Sequence, residues 1–130
     1  MIKVYTDGGS RGNPGKSACA FVIYESGSVL HQDRFFIGIN TNNQAEYHAL
    51  LFALKYLNQN GVSDADFFSD SELMVKQIKG IYKVKDLGIQ KVFNDVKNEI
   101  SKMTKFSITH VRREENKLAD QLVNKCLDEE

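Results

Sequence analysis

No apolar stretch in this chain of 130 residues approaches the roughly 20 residues that a helix needs to cross a bilayer. A membrane span is therefore excluded from the expected architecture. Cysteine is scarce. Cys19 and Cys126 stand far apart with no Cys-x-x-Cys pair, which argues against a zinc site. Two buried free thiols in a reducing cytoplasm are the simplest expectation, with a Cys19–Cys126 disulfide as the alternative. Proline occurs once, and no linker, repeat or low-complexity tract interrupts the chain. Residues 1–130 are expected to form a single domain, large enough to bury roughly two-thirds of the surface its unfolded chain exposes. The N-terminal run Met1-Ile2-Lys3-Val4-Tyr5-Thr6 reads as a strand, not as a signal peptide, and a cytoplasmic location is expected. No exposed apolar stripe is evident, so a monomer is expected.

Neither sign of charge is in excess. Seventeen Lys and Arg balance seventeen Asp and Glu, which removes any whole-molecule attraction to nucleic acid. The distribution is uneven, however. Lys76, Lys79, Lys83, Lys85 and Lys91 crowd one stretch, and Asp128-Glu129-Glu130 closes the chain. Such a basic strip can bind phosphate even when the total cancels. A solvated lysine-rich face accounts for it equally well.

Residues 2–7 read as a first strand, and the glycine-rich run Gly8 to Gly15 as a turn-rich loop. Ser17 to Tyr24 and Val29 to Gly38 flank the turn Glu25-Ser26-Gly27-Ser28, completing a three-stranded antiparallel meander. Thr41-x-x-Gln44 is a capping box opening a helix that runs to Asn60 and ends at Gly61. Asp66 to Ser69 is a fourth strand. Ser69-x-x-Glu72 caps a helix through Lys79, Asp86 to Lys102 is another helix, Phe106 to Val111 alternates as a fifth strand, and Glu115 to Leu127 is the last helix. A meander followed by alternating strands and helices predicts an α/β fold: a five-stranded mixed sheet with helices on both faces.

Four acids stand where folding alone would not choose them. In its helix, Glu46 lies in line with Leu50, Ala53 and Leu57, within the apolar stripe. A carboxylate on a buried face is costly unless it is ion-paired or binds a metal. Asp7 follows Val4-Tyr5-Thr6 and precedes two glycines. It is either a turn aspartate or an acid at a strand end, where active-site acids sit in open sheets. Asp70 occupies a similar strand-to-helix junction, where the helix dipole alone favours an acid by about 0.3–1 kcal/mol. Asp120 sits at the edge of the stripe Leu118, Ala119, Leu122, Val123 and Cys126, where a rim charge would also fit. Brought together by folding, the four would be unstable without cations. With two divalent ions they would be equipped to cut a phosphodiester bond.

Thr6-Asp7-Gly8-Gly9-Ser10-Arg11-Gly12-Asn13-Pro14-Gly15 resembles the opening of type 1 ribonuclease H. Thr41-Asn42-Asn43-Gln44-Ala45-Glu46 resembles that family's second motif, and Ser69-Asp70-Ser71 its third. His110-Val111-Arg112-Arg113-Glu114-Glu115-Asn116-Lys117-Leu118-Ala119-Asp120 resembles the closing motif of the compact bacterial and archaeal forms. The resemblance implies the ribonuclease H fold, with the second strand antiparallel to its neighbours. It also implies hydrolysis of the RNA strand of an RNA/DNA hybrid, giving 5′-phosphate and 3′-hydroxyl ends. Asp7, Glu46, Asp70 and Asp120 match the metal-binding tetrad, expected to hold two Mg²⁺ with Mn²⁺ as a substitute. Asn13, Asn42 and Gln44, with Asn43 as a further candidate, would touch the hybrid, and the Gly8 and Gly9 amides would lie near its RNA strand. Thr41 and Asn13 match a DNA-phosphate pocket. Helix initiation accounts for Thr41, Asn42, Asn43 and Gln44 equally well.

The chain also departs from longer family members. Their basic handle is replaced by Gly80-Ile81-Tyr82-Lys83-Val84-Lys85, and no histidine lies between Val111 and Asp120. Affinity is then expected to rest on Lys83, Lys85 and their neighbours, and to weaken steeply with salt. Tyr82 either stacks on a sugar or base or packs at a helix end. Arg113 is expected to assist turnover through scissile or product phosphate, an ion pair with Glu114 or Glu115 being the alternative. His110 is expected to be a packed sheet residue. Two other readings stand beside the main one: a less discriminating enzyme that also cuts double-stranded RNA, and a non-catalytic hybrid-binding module.

Overall fold

The computed structural model describes residues 1–130. The meander consists of β1 (Ile2–Arg11), β2 (Gly15–Glu25) and β3 (Ser28–Asn40). Helix α1 (Asn42–Gln59), strand β4 (Asp64–Ser69), helices α2 (Glu72–Ile78) and α3 (Leu87–Ile100), strand β5 (Lys105–His110) and helix α4 (Lys117–Asp128) follow in order. A 3₁₀ turn, Arg113–Glu115, precedes α4. The sheet runs β3-β2-β1-β4-β5, with β2 antiparallel to both neighbours and β1, β4 and β5 mutually parallel. This is the expected five-stranded mixed sheet.

Strand β2 explains how one sheet supports two layers. Its residues 17–23 are all buried, as a strand covered on both faces requires. Phe21 and Ile23 join Val4 and Phe67 under α1, α2 and α3, while Ala18, Ala20 and Val22 face Ala119, Leu122, Val123 and Cys126 of α4. The small alanines let α4 approach closely. Cys19 and Cys126 are buried free thiols and form no disulfide.

Several details differ from the sequence reading. The run Gly8 to Gly15 is not all loop: β1 and β2 stay paired out to Arg11 and Lys16, and only residues 12–14 turn. The ladder hydrogen bonds outweigh the local turn preference of the glycines. Ser71, not Ser69, caps α2, its hydroxyl accepting the Met74 N–H at 3.3 Å. Ser69 is fully buried as the last residue of β4. His110 is exposed at the end of β5 rather than packed in the sheet.

Candidate active site

The parallel pairing of β1 with β4 ends at Thr6 and Ser69, so the residue that follows each, Asp7 and Asp70, lies at the same place where the two strands part. Helix α1 is laid across that edge by its start. The Thr41 hydroxyl accepts the Gln44 N–H at 3.1 Å and the Gln44 side-chain oxygen accepts the Thr41 N–H at 2.8 Å, completing the expected capping box. Asn42 Oδ1 accepts the Ser10 N–H at 2.7 Å, and Asn13 Oδ1 accepts the Asn42 N–H at 3.0 Å. These two bonds tie the β1–β2 hairpin to the helix start and place Glu46 beside Asp7.

One carboxylate oxygen from each of Asp7, Glu46 and Asp70 lies within 4.8 Å of the others. Asp120, in the first turn of α4, lines the same groove, and its charge acts on Asp7. The groove has a volume of about 570 Å³, and its wall also includes Gly8, Gly9, Asn42, Asn43 and Arg113. Arg113 makes no ion pair with Glu114, Glu115 or any other acid, so its guanidinium is free to meet an anion in the groove. The sequence reading missed Arg11, Ser71 and Asn124, which also line the groove. Asn124 donates to the Asp120 carboxyl at 3.3 Å. Its position one helical turn after Asp120 was the available signal.

Other predicted contacts lie elsewhere. Lys83 and Lys85 are exposed between α2 and α3, outside the groove. Gln44 is committed to the cap and to the Gly88 carbonyl at 3.2 Å. Tyr82 lies under the Lys76 ammonium, 5.1 Å from ring centre to nitrogen, and its hydroxyl accepts from Lys76 at 3.4 Å.

The acids repel one another. Burial, then the charges of Asp70 and Asp120, push Asp7 up to about 8, with the Gly8 amide opposing. Burial, then Asp7 and Asp70, push Glu46 well above the usual carboxylate range, again against the Gly8 amide. The Glu46 Oε1 atom is sealed from solvent and has no hydrogen-bond partner. An orphaned buried oxygen in an all-oxygen donor set fits a hard divalent cation such as Mg²⁺.

The pH dependence follows in sign. An unfolded aspartate releases its proton near pH 4, whereas folded, metal-free Asp7 holds its proton to about pH 8. Between those values the folded state binds the extra proton, so stability falls as pH rises through the window and levels off above it. In EDTA, Tm is expected to fall from pH 5 to pH 8 because of Asp7 and Glu46, and Mg²⁺ is expected to flatten the slope. A calorimetric Tm that rises across that range in EDTA would contradict this account.

Comparison with known proteins supports the same reading. A family model described as reverse transcriptase-like matches residues 5–126. The ribonuclease HI of Halobacterium salinarum is 36% identical over 129 residues, covering 98% of this chain and 65% of that protein. A bifunctional protein of Mycobacterium tuberculosis is 33% identical over 98% of this chain and 35% of its own length. The chain thus spans less than two-thirds of these curated relatives. The crystal structure of the H. salinarum RNase H1 superposes with a TM-score of 0.96, covering 99% of this chain and 98% of that one. LC11-RNase H1, isolated from compost by a metagenomic approach, matches in its complex with an RNA/DNA hybrid. It gives a TM-score of 0.94 at 38% identity, over 99% of this chain and 98% of that one.

Proposed function

We propose a function from the premise that the chain belongs to the type 1 ribonuclease H family: it is a metal-dependent endoribonuclease that cuts the RNA strand of RNA/DNA hybrids. The observation that carries this reading is the convergence of Asp7, Glu46 and Asp70 oxygens within 4.8 Å, in an open groove that Asp120 also lines. The hybrid held by LC11-RNase H1 supports the substrate assignment.

In this reading Asp7, Glu46, Asp70 and Asp120 hold two divalent ions, Mg²⁺ before Mn²⁺. When bound, the ions supply activation of the attacking water and charge to stabilise the departing 3′-oxygen. The clustered acids, already converged, gain charge balance from those ions. Arg113, free of ion pairs, meets scissile or product phosphate at the groove wall. Asn13 and Asn42 hold the hairpin against α1 and, with Asn43 and the Gly9 amide, face the hybrid's minor groove, where the 2′-hydroxyl marks RNA. Thr41 and Asn13 face DNA phosphate, while Gln44 is taken up by the cap and Gly88, and the Gly8 amide by the acids. Lys83 and Lys85, on the exposed segment after α2, extend the contact to backbone phosphate outside the acid groove. All four acids come from one chain, which supports action as a monomer. No helix is long and apolar enough to cross a membrane, and with two free thiols we place the protein in the cytoplasm.

The test is cleavage of end-labelled RNA/DNA hybrid, double-stranded RNA and double-stranded DNA, each with Mg²⁺, Mn²⁺ or EDTA. The expected result is metal-dependent cutting of the hybrid's RNA strand with 5′-phosphate ends and no cutting of DNA. Cutting of double-stranded RNA at a comparable rate would shift the assignment to the less discriminating enzyme. Binding of hybrid without cutting in any metal would leave the module reading.

A further inference from the structure

Asn116 is among the most buried polar residues of the molecule, only 1% exposed, yet it stands at the surface end of α4. Asparagine at a helix start ordinarily turns its side chain onto the helix's own amides. Here it makes no such bond. Its side-chain nitrogen instead donates to the carbonyl of Thr6, the residue before Asp7, at 2.8 Å, across 110 residues of sequence. Its backbone carbonyl accepts the Asp120 N–H at 3.1 Å, and its own N–H donates to the Arg113 carbonyl at 3.0 Å.

Three parts of the groove therefore meet at one residue: the strand that carries Asp7, the helix turn that carries Asp120, and the turn that carries Arg113. The polarity of the tie is fixed. Turning the amide over would set its oxygen against the Thr6 oxygen, so only the NH₂ can face that carbonyl. The side-chain oxygen of Asn116 has no partner. Nothing but the donor is being used.

We infer that Asn116 is a positioning residue of the active site: a strut from Thr6 that sets the separation of Asp7 and Asp120 and so the affinity of the site for divalent cations. The inference rests on the proposed nuclease reading for its kinetic consequence, but not for its metal-binding one. Partners that orient metal-ligating groups commonly change metal affinity or activity by roughly 10–100-fold when removed.

Two variants separate a strut from a helix cap. Asn116→Ala removes both possibilities. Asn116→Ser supplies a hydroxyl that caps α4 well but sits too close to its own backbone to hold the Thr6 carbonyl. Mg²⁺ affinity is measured by calorimetry on hybrid-free protein, and kcat and KM on hybrid, with folding checked by circular dichroism. Both variants are expected to bind Mg²⁺ about 10–100-fold more weakly and to lose kcat by a similar factor, with KM for hybrid within about twofold. If Asn116→Ser restores parental Mg²⁺ affinity and kcat, the residue is only a cap and the inference is wrong. Should Asn116→Ala fail to fold, Asn116→Ser decides alone. A parent that binds Mg²⁺ but cuts no hybrid would defeat the nuclease reading, and the Mg²⁺ affinities would still decide the strut.

Discussion

Asp70→Asn is expected to abolish hybrid cleavage while making the metal-free protein more stable. The loss of activity follows from the donor set. Asp70 supplies one of three oxygens that lie within 4.8 Å of one another, and an amide cannot replace its charge. Charge stabilisation by bound metal is worth several kcal/mol in phosphoryl chemistry, so removing one of its carboxylates is expected to lower kcat by at least about 10³-fold. The gain in stability follows from the same geometry. The Asp70 charge is the largest electrostatic contribution raising Asp7 and the second raising Glu46, after burial in both cases. Without it the two remaining acids ionise at lower cost in the folded state. In EDTA at pH 8 the variant is expected to melt above the parent, and in saturating Mg²⁺ the order should narrow or reverse. Calorimetry in the two buffers checks both halves. A variant that is inactive and also less stable in EDTA would mean that Asp70 holds the fold together, and the electrostatic account would fail.

That opposition between site and fold is also why the site was readable before the structure. Glu46 was conspicuous because an acid in line with Leu50, Ala53 and Leu57 contradicts the helix's apolar period, and its carboxyl is indeed partly sealed without a partner. The capping box at Thr41 and Gln44 was readable because both of its bonds are local. Where reading failed, a long-range term had overridden a local one. The glycines of residues 8–15 signal turns, but cross-strand pairing carries β1 on to Arg11. Ser69-x-x-Glu72 reads as the cap of α2, but burial takes Ser69 into the sheet and Ser71 caps the helix instead. The alternation Phe106, Ile108, His110 marks one face of β5 correctly, yet His110 lies at the strand's end and is exposed. Asn116 was invisible as a strut, because nothing local records a bond made to Thr6.

Gly8→Ala is expected to be severely damaging for a change of a single methyl. Of the two adjacent glycines after Asp7, only the first is required to be bare. A Cβ on Gly8 would lie 2.3 Å from the Ala45 carbonyl carbon, 2.4 Å from its oxygen and 2.5 Å from the Glu46 nitrogen. All three are backbone atoms in the first turns of α1, so no rotamer change can relieve the contact. Either α1 withdraws from the sheet or β1 bends. On Gly9 a Cβ would meet only the Val123 Cγ1, at 3.4 Å, and that side chain can yield. Overpacking of a well-packed site costs about 1–3 kcal/mol and occasionally more, and a clash with backbone alone belongs at or above the upper end. For a domain of this size that corresponds to a fall in Tm of roughly 10 °C. Gly9→Ala should stay within about 1 kcal/mol of the parent. The functional consequence is larger still, because the displaced backbone is that of Glu46 itself. A shift of about 1 Å in a catalytic group can cost on the order of 10²-fold in rate, so the folded fraction of Gly8→Ala is expected to retain about a hundredth of parental kcat. Denaturation curves and single-turnover cleavage of the two variants provide the comparison. Equal stability and equal rates would show that α1 does not rest on β1 at Gly8, and the placement of Glu46 would need another cause.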